Sequence, residues 1–134
     1  ETPYLLFGKK VKTVMRKLST FIKSEVKKGK KVYVYGASTR GNTLLQSAKL
    51  DYRYITAAAE RNPWKFGRFT VGTKIEIKSE EECREDADIF LILPWFFRSE
   101  IEKREKEFVN KGGILVFPLP QLTVVTQNGV QVID

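Results

Sequence analysis

The chain has no histidine, a single cysteine and no long apolar run among its 134 residues. The absence of histidine removes the commonest general base and the commonest zinc ligand, although carboxylates, tyrosine and lysine remain for acid–base work. Cys83 alone forms neither an internal disulfide nor a metal cluster, which favours a reducing, cytoplasmic compartment. Without a stretch of about 18 apolar residues, no membrane span is predicted and no membrane partner is expected.

Acidic residues are scarce in one early segment. Between residues 9 and 31 the only acid is Glu25, although the chain has a net charge of +8. The basic residues of this segment are Lys9, Lys10, Lys12, Arg16, Lys17, Lys23, Lys27, Lys28, Lys30 and Lys31. A solvated helix face is favoured over a surface for nucleic acid or an acidic partner, because aromatic residues are few here and no nucleic-acid motif is present.

Length and composition indicate one ordinary domain. A chain of 134 residues with 42% hydrophobic and 30% charged residues is typical of a single globular unit with a real core. Residues 1–134 are therefore predicted to form one domain. The first residue is Glu1 rather than Met, which leads us to expect a module cut from a longer chain.

Hydrophobic periodicity predicts alternating helices and strands. The predicted helices cover residues 8–28, 41–48, a short segment after Ser79, and 98–110; the predicted strands cover 31–35, 54–59, 74–77, 88–93 and 114–117, and residues 122–126 and 130–133 form a hairpin. Nearly continuous apolar strands indicate a mostly parallel sheet with helices on both faces. The predicted fold class is α/β, a Rossmann-like three-layer sandwich with a C-terminal antiparallel hairpin.

A glycine turn follows the first predicted strand. Gly36 and Gly41 occupy the first and last positions of a G-x-G-x-x-G fingerprint, but Ser38 replaces the middle glycine. Glu60 lies 24 residues after Gly36, near the position of the acid that accepts from ribose hydroxyls in dinucleotide-binding domains. The turn predicts an anion such as phosphate at a helix N-terminus, and a turn that binds nothing stays open as the alternative.

Aromatic and basic residues alternate after the second predicted strand. Arg61, Lys65 and Arg68 flank Trp64 and Phe66. The cations could neutralise a diphosphate and a ring could stack on a base or sugar; the other interpretation is a small loop core with solvated cations.

Three rings follow the strand at residues 88–93. We expect Phe96 and Phe97 to cap the core. Trp95, at the strand end, is expected to aim its ring at the ligand cleft that open α/β sheets form outside the carboxyl ends of their strands.

Five strings in this chain carry a family resemblance. They are YGASTRGNTLLQ (35–46), AERNPWKFGR (59–68), VGT (71–73), LPW (93–95) and GGILVFPLP (112–120). In this order and spacing the chain resembles the C-terminal domain of the sugar C-methyltransferase family. Phe96 is a departure, because that family usually has histidine there, which puts a strict match of substrate in doubt.

The resemblance implies a function. Enzymes of that family place a zinc-binding segment and a central S-adenosylmethionine-binding domain before this module, and methylate a carbon of a nucleotide-linked sugar. By resemblance the module binds the nucleotide-sugar against the central domain, S-adenosylmethionine belongs to that central domain, and the module alone is not expected to be catalytic. The substrate-binding positions carried over are Gly36, Ser38, Arg40, Gly41, Asn42, Glu60, Arg61, Asn62, Lys65 and Trp95. Two alternatives stay open: an NAD(P)-binding oxidoreductase domain, and a basic docking module for an acidic partner.

Overall fold

The computed structural model describes residues 3–134, with side chains from Lys10 onward. The chain forms a mixed α/β fold, as predicted. Its helices are α1 (Pro3–Lys27), α2 (Thr39–Ser47), α3 (Glu80–Asp86), α4 (Arg98–Arg104) and α5 (Lys106–Asn110); its strands are β1 (Val32–Tyr35), β2 (Ile55–Glu60), β3 (Ile77–Ser79), β4 (Ile89–Ile92), β5 (Ile114–Phe117), β6 (Thr123–Thr126) and β7 (Gly129–Val132). Glu1, from which a module cut from a longer chain was expected, lies outside the described residues.

One seven-stranded sheet organises the chain. The strand order is β3-β2-β1-β4-β5-β6-β7. Strands β3 to β5 run parallel, whereas β6 and β7 are antiparallel, so the mostly parallel sheet and the C-terminal hairpin are both confirmed. The carboxyl ends of β2, β1 and β4 meet at one edge of the sheet, where ligands bind in open α/β sheets.

The strands are apolar on both sides because helices cover both faces. On one face Val32 and Val34 of β1 pack in a cluster with α1 and α2. On the other face Tyr33 and Tyr35 pack in a cluster with α3, α4 and α5. This alternation along one strand explains why the sequence shows continuous apolar runs rather than a period of two.

Helix α1 lays an apolar stripe on the sheet and turns basic side chains outward. Met15, Leu18 and Ile22 recur at helical spacing and are buried. The basic side chains vary in exposure: Lys10, Lys12, Arg16, Lys27, Lys28, Lys30 and Lys31 are exposed, and Lys17 and Lys23 are partly buried. The side chain of Lys9 lies outside the described residues.

Several element boundaries differ from the prediction, including that of α1, which begins at Pro3 rather than at residue 8. Helix α2 begins at Thr39 rather than 41, because the Ser38 hydroxyl accepts from the Gly41 amide at 3.0 Å and caps the helix. Strand β3 begins at Ile77, the last residue of the predicted segment 74–77, since the chain from Arg68 to Ile77 first makes a narrow turn. The predicted helix 98–110 is divided at Glu105, whose backbone leaves helical geometry.

Candidate functional site

The loops after β1 and β2 are joined by direct hydrogen bonds. The Glu60 carboxylate accepts from the backbone amide of Ala37 at 3.1 Å, and the Lys65 ammonium donates to the Ala37 carbonyl at 3.3 Å. Ala37 lies inside the glycine turn, and Glu60 ends β2. The structure therefore brings together the glycine turn, Glu60 and Lys65 at the sheet edge, where the carboxyl ends of the parallel strands lie.

The glycines of the turn make room for protein atoms. A Cβ on Gly41 would lie 2.7 Å from Leu93 Cδ1, and a Cβ on Gly36, which has φ of 94°, would lie 3.3 Å from Pro94 Cδ. The segment after β4 therefore occupies the space that a side chain at either glycine would need. The middle position, where a dinucleotide fingerprint has the glycine that lets the pyrophosphate approach, is occupied by Ser38, so the turn lacks that opening.

The N-terminus of α2 still offers groups for an anion. Thr39 and Arg40 are its first two residues, whose amides lack partners within the helix. The aligned peptide dipoles add positive potential at this end. Ser38, Thr39 and Arg40 are exposed, so this end of the helix is open to solvent.

Two of the predicted binding residues use their side chains in hydrogen bonds that hold the loops. The Asn42 amide donates to the Val71 carbonyl at 2.7 Å and its oxygen accepts from the buried Thr73 hydroxyl. Asn62 accepts from the Trp64 amide at 3.1 Å and caps the short turn Pro63–Lys65. These contacts position the loop that carries Arg61 and Lys65.

The aromatic residues differ from expectation. Phe96 and Phe97 are 50% and 51% exposed, so the expectation that they cap the core is wrong. Trp95 instead packs against the cluster on the α3–α5 face of the sheet. The three residues form a 3-10 turn, whose rotation per residue differs from that of a strand. Trp64 is 83% exposed, so it does not belong to a small loop core.

A cleft of about 340 Å³ opens beside these loops at the ends of β1, β2 and β4. Its charged lining consists of the carboxylates Glu60, Glu80 and Glu100 and the guanidiniums Arg61 and Arg104, and Phe97 supplies an apolar wall. Trp95 does not line this cleft. With three acids against two cations, the lining suits a ligand rich in hydroxyls better than a bare diphosphate.

Comparison with known families decides what this arrangement belongs to. The model of the C-methyltransferase C-terminal domain matches residues 1–120. The chain belongs to this family. It is also similar to the C-methyltransferase NovU of Streptomyces niveus, with 31% identity over 124 residues that cover 92% of this chain and 30% of that protein. The chain thus spans about 30% of the length of the relative it matches.

In this C-methyltransferase C-terminal domain, a buried ion network backs the cleft. Arg84 donates two hydrogen bonds of 2.6 Å to Glu105, which is 1% exposed, and the Tyr35 hydroxyl donates to the same carboxylate at 2.8 Å. Glu80 accepts from Arg84 at 3.2 Å and from Arg104 at 2.7 Å. Arg61 lies 3.8 Å from Glu80, so the network reaches a predicted binding residue.

The network fixes the charge of Glu105. Burial alone would raise the pKa of Glu105, but the hydrogen bonds from Arg84 and Tyr35 and the nearby guanidinium charges outweigh it and hold the pKa below its usual range. For Tyr35, burial and the bond to Glu105 raise the pKa. Sequence analysis missed this network; the only local signal was the spacing of Glu80 and Arg84, four residues apart on α3.

Metal and membrane features were also sought in the described part of the chain. Among residues 3–134 there is no group of three acidic, cysteine or histidine side chains placed to hold a metal ion. Within the same residues no helix has the length and apolar character needed to cross a bilayer.

Proposed function

We propose that this chain binds a nucleotide-linked sugar for an S-adenosylmethionine-dependent C-methyltransferase, as the C-terminal domain of a longer protein. The observation that carries the proposal is the pair of bonds from Glu60 and Lys65 to Ala37. They hold the loops after β1 and β2 in one fixed arrangement at the sheet edge. In open α/β sheets this edge is where nucleotide ligands bind.

The diphosphate is assigned to the N-terminus of α2. Arg40 supplies a charged donor, the first-turn amides supply further donors, and the helix dipole favours negative charge. The Lys65 ammonium adds a second positive charge beside the turn. Gly36, Gly41 and Asn42 act here by shaping the turn, and Ser38 acts by capping the helix.

The sugar is assigned to the neighbouring cleft. Glu60 and Arg61 line it and offer an acceptor and a donor to hydroxyl groups. Asn62 holds the loop, and Trp95 packs on the core side of the chain after β4. Binding these remote parts of the substrate would orient the reacting carbon toward the catalytic domain.

S-adenosylmethionine supplies the methyl group in this proposal and is held by a central domain outside this chain. The NAD(P) alternative is not favoured, because Ser38 stands where a dinucleotide fingerprint has the glycine that lets the pyrophosphate approach. The order β3-β2-β1-β4-β5 supports a Rossmann-like classification, and the single buried Cys83 suits the proposed cytoplasmic location.

Binding of nucleotides by the purified chain tests the proposal. Calorimetric titration with UDP, dTDP and their glucose conjugates is expected to give binding, and Arg40→Ala is expected to weaken it about tenfold by removing a charge-assisted bond. Arg16→Ala is the matched control, since Arg16 is exposed on α1 away from the sheet edge. Equal losses in the two variants, or no binding of any nucleotide, would contradict the site.

A further inference from the structure

Strand β7 forms one edge of the sheet, and no other strand in the described part of the chain pairs with its outer side. It is the last strand in the sheet order, and all four of its residues are exposed. Natural sheets protect such edges with charges, prolines or bulges. The sequence of β7 is Gly-Val-Gln-Val, its pairing with β6 is regular, and no charged residue occurs from 112 to 133 in a chain that is 30% charged.

Family membership does not account for this edge. The family model matches residues 1–120, whereas the hairpin of β6 and β7 covers residues 123–132. The hairpin also lies away from the glycine turn and from the cleft described above. Its exposed apolar edge therefore needs an explanation of its own.

The register of the hairpin shows which backbone groups point outward. Thr126 pairs with Gly129 across a two-residue turn, and the Ile133 amide donates to the Leu122 carbonyl at 2.8 Å. Because inward and outward residues alternate along an antiparallel strand, Val130 and Val132 present their amides and carbonyls to the free edge. Their side chains share one face and are 56% and 45% exposed.

We infer that β7 is a self-association site, at which a second copy of this chain adds its own β7 in antiparallel orientation. The two outward residues are two positions apart, so a twofold axis at Gln131 places Val130 opposite Val132 of the second copy, and Val132 opposite its Val130. Each such pair exchanges two backbone hydrogen bonds and brings two valine side chains together. This edge is therefore complementary to itself, as a closed twofold interface requires.

Charge and size set the strength of the dimer. Each copy carries +8, so long-range repulsion opposes pairing and added salt strengthens it by screening. A strand of four residues buries less than the roughly 1,200 Å² of a standard interface, which predicts a weak, concentration-dependent dimer. Docking of the basic α1 on an acidic partner would have the opposite dependence on salt.

Sedimentation equilibrium over a wide range of protein concentration, up to the millimolar range, tests the inference. The unmodified chain is expected to dimerise, more strongly at high salt, and Val132→Lys is expected to abolish the dimer by placing charges at the paired edge. Gln127→Lys adds the same charge in the turn, outside the paired residues, and is expected to keep the dimer. A chain that stays monomeric throughout, or a Val132→Lys variant with an unchanged dimer constant, would overturn the inference.

A cross-linking experiment tests the register without weakening the edge. Gln131 of the two copies would face each other as a non-hydrogen-bonded pair with Cα atoms about 4.5 Å apart, within disulfide range. The Gln131→Cys variant is expected to form a disulfide-linked dimer under mild oxidation, at least tenfold faster than Gln127→Cys. The natural Cys83 is buried and does not compete. Equal rates for the two variants would overturn the proposed register.

Discussion

Glu105→Gln is the substitution for which the structure makes its most definite stability prediction. The side chain is 1% exposed and accepts two bonds from Arg84 and one from Tyr35. Glutamine has nearly the same shape, but it replaces one acceptor oxygen with a donor. Arg84 donates to both carboxylate oxygens, so in either orientation that amide group would face a guanidinium N–H, which does not accept a hydrogen bond.

The loss of stability depends on how far the Arg84 charge, which loses its partner, is exposed to solvent. Removing one partner of a fully buried ion pair lowers the free energy of unfolding by about 3 to 5 kcal/mol. The Arg84 side chain is 30% exposed and keeps Glu80 at 3.2 Å, so it is only partly stranded. We therefore expect a loss of about 2 to 3 kcal/mol, or a Tm lower by about 6 to 9 °C for a chain of this size.

The effect depends on pH with a definite sign. Because the folded state holds the pKa of Glu105 below its usual range, the carboxylate stabilises the fold above the unfolded pKa of about 4.3 and less as pH falls through the lower folded pKa. The glutamine variant lacks this dependence. The two unfolding free energies are therefore expected to converge in acid and to differ fully at neutral pH.

Urea unfolding of both proteins at several pH values measures this difference. Glu107→Gln is the matched control, because Glu107 forms a solvent-exposed pair with Lys111 and such pairs contribute at most about 1 kcal/mol. A Glu105→Gln loss below about 1 kcal/mol, or a loss equal to that of the control, would refute the reasoning.

Two further predictions concern the core and the glycine turn. Burial raises the pKa of the Cys83 thiol to about 12, so a thiol reagent at pH 8 is expected to label the folded chain far more slowly than the chain in denaturant; comparable rates would contradict the burial. Gly41→Ala is expected to lower the unfolding free energy by about 1 to 2 kcal/mol, because overpacking against Leu93 exceeds the gain in helix propensity. Thermal unfolding of this variant beside Thr43→Ala, an exposed change on the same helix, measures the effect, and an increase in Tm would argue against the clash.

The strands were predictable because their buried segments are short apolar runs bounded by glycine, proline or charged residues. The glycine turn and Glu60 were predictable as neighbours, since parallel strands end at the same edge. The division of the helix at Glu105 was not, because its bonding partners lie 21 and 70 residues away along the chain. Such partners leave no local pattern.

The exchange of roles between Trp95 and Phe97 has a geometric origin. Trp95 was expected to face the cleft because it lies at the end of the strand. The chain instead enters a 3-10 turn at Trp95, where successive side chains rotate by about 120°. Trp95 then points to the core, and Phe97 lines the cleft.

The contact between Gly41 and Leu93 joins two strings that the sequence shows as separate motifs. The string at residues 35–46 supplies the glycine. The string at 93–95 supplies the leucine, which occupies the space that a side chain at residue 41 would need. The two positions are therefore expected to covary among relatives, with alanine at 41 tolerated only where a smaller residue stands at 93. Adding Gly41→Ala to a Leu93→Ala variant is expected to cost less stability than Gly41→Ala costs in the unchanged chain, because the space beside residue 41 is then open. A relative that no longer binds the ligand is accordingly expected to keep this glycine, because the packing against residue 93 still requires it.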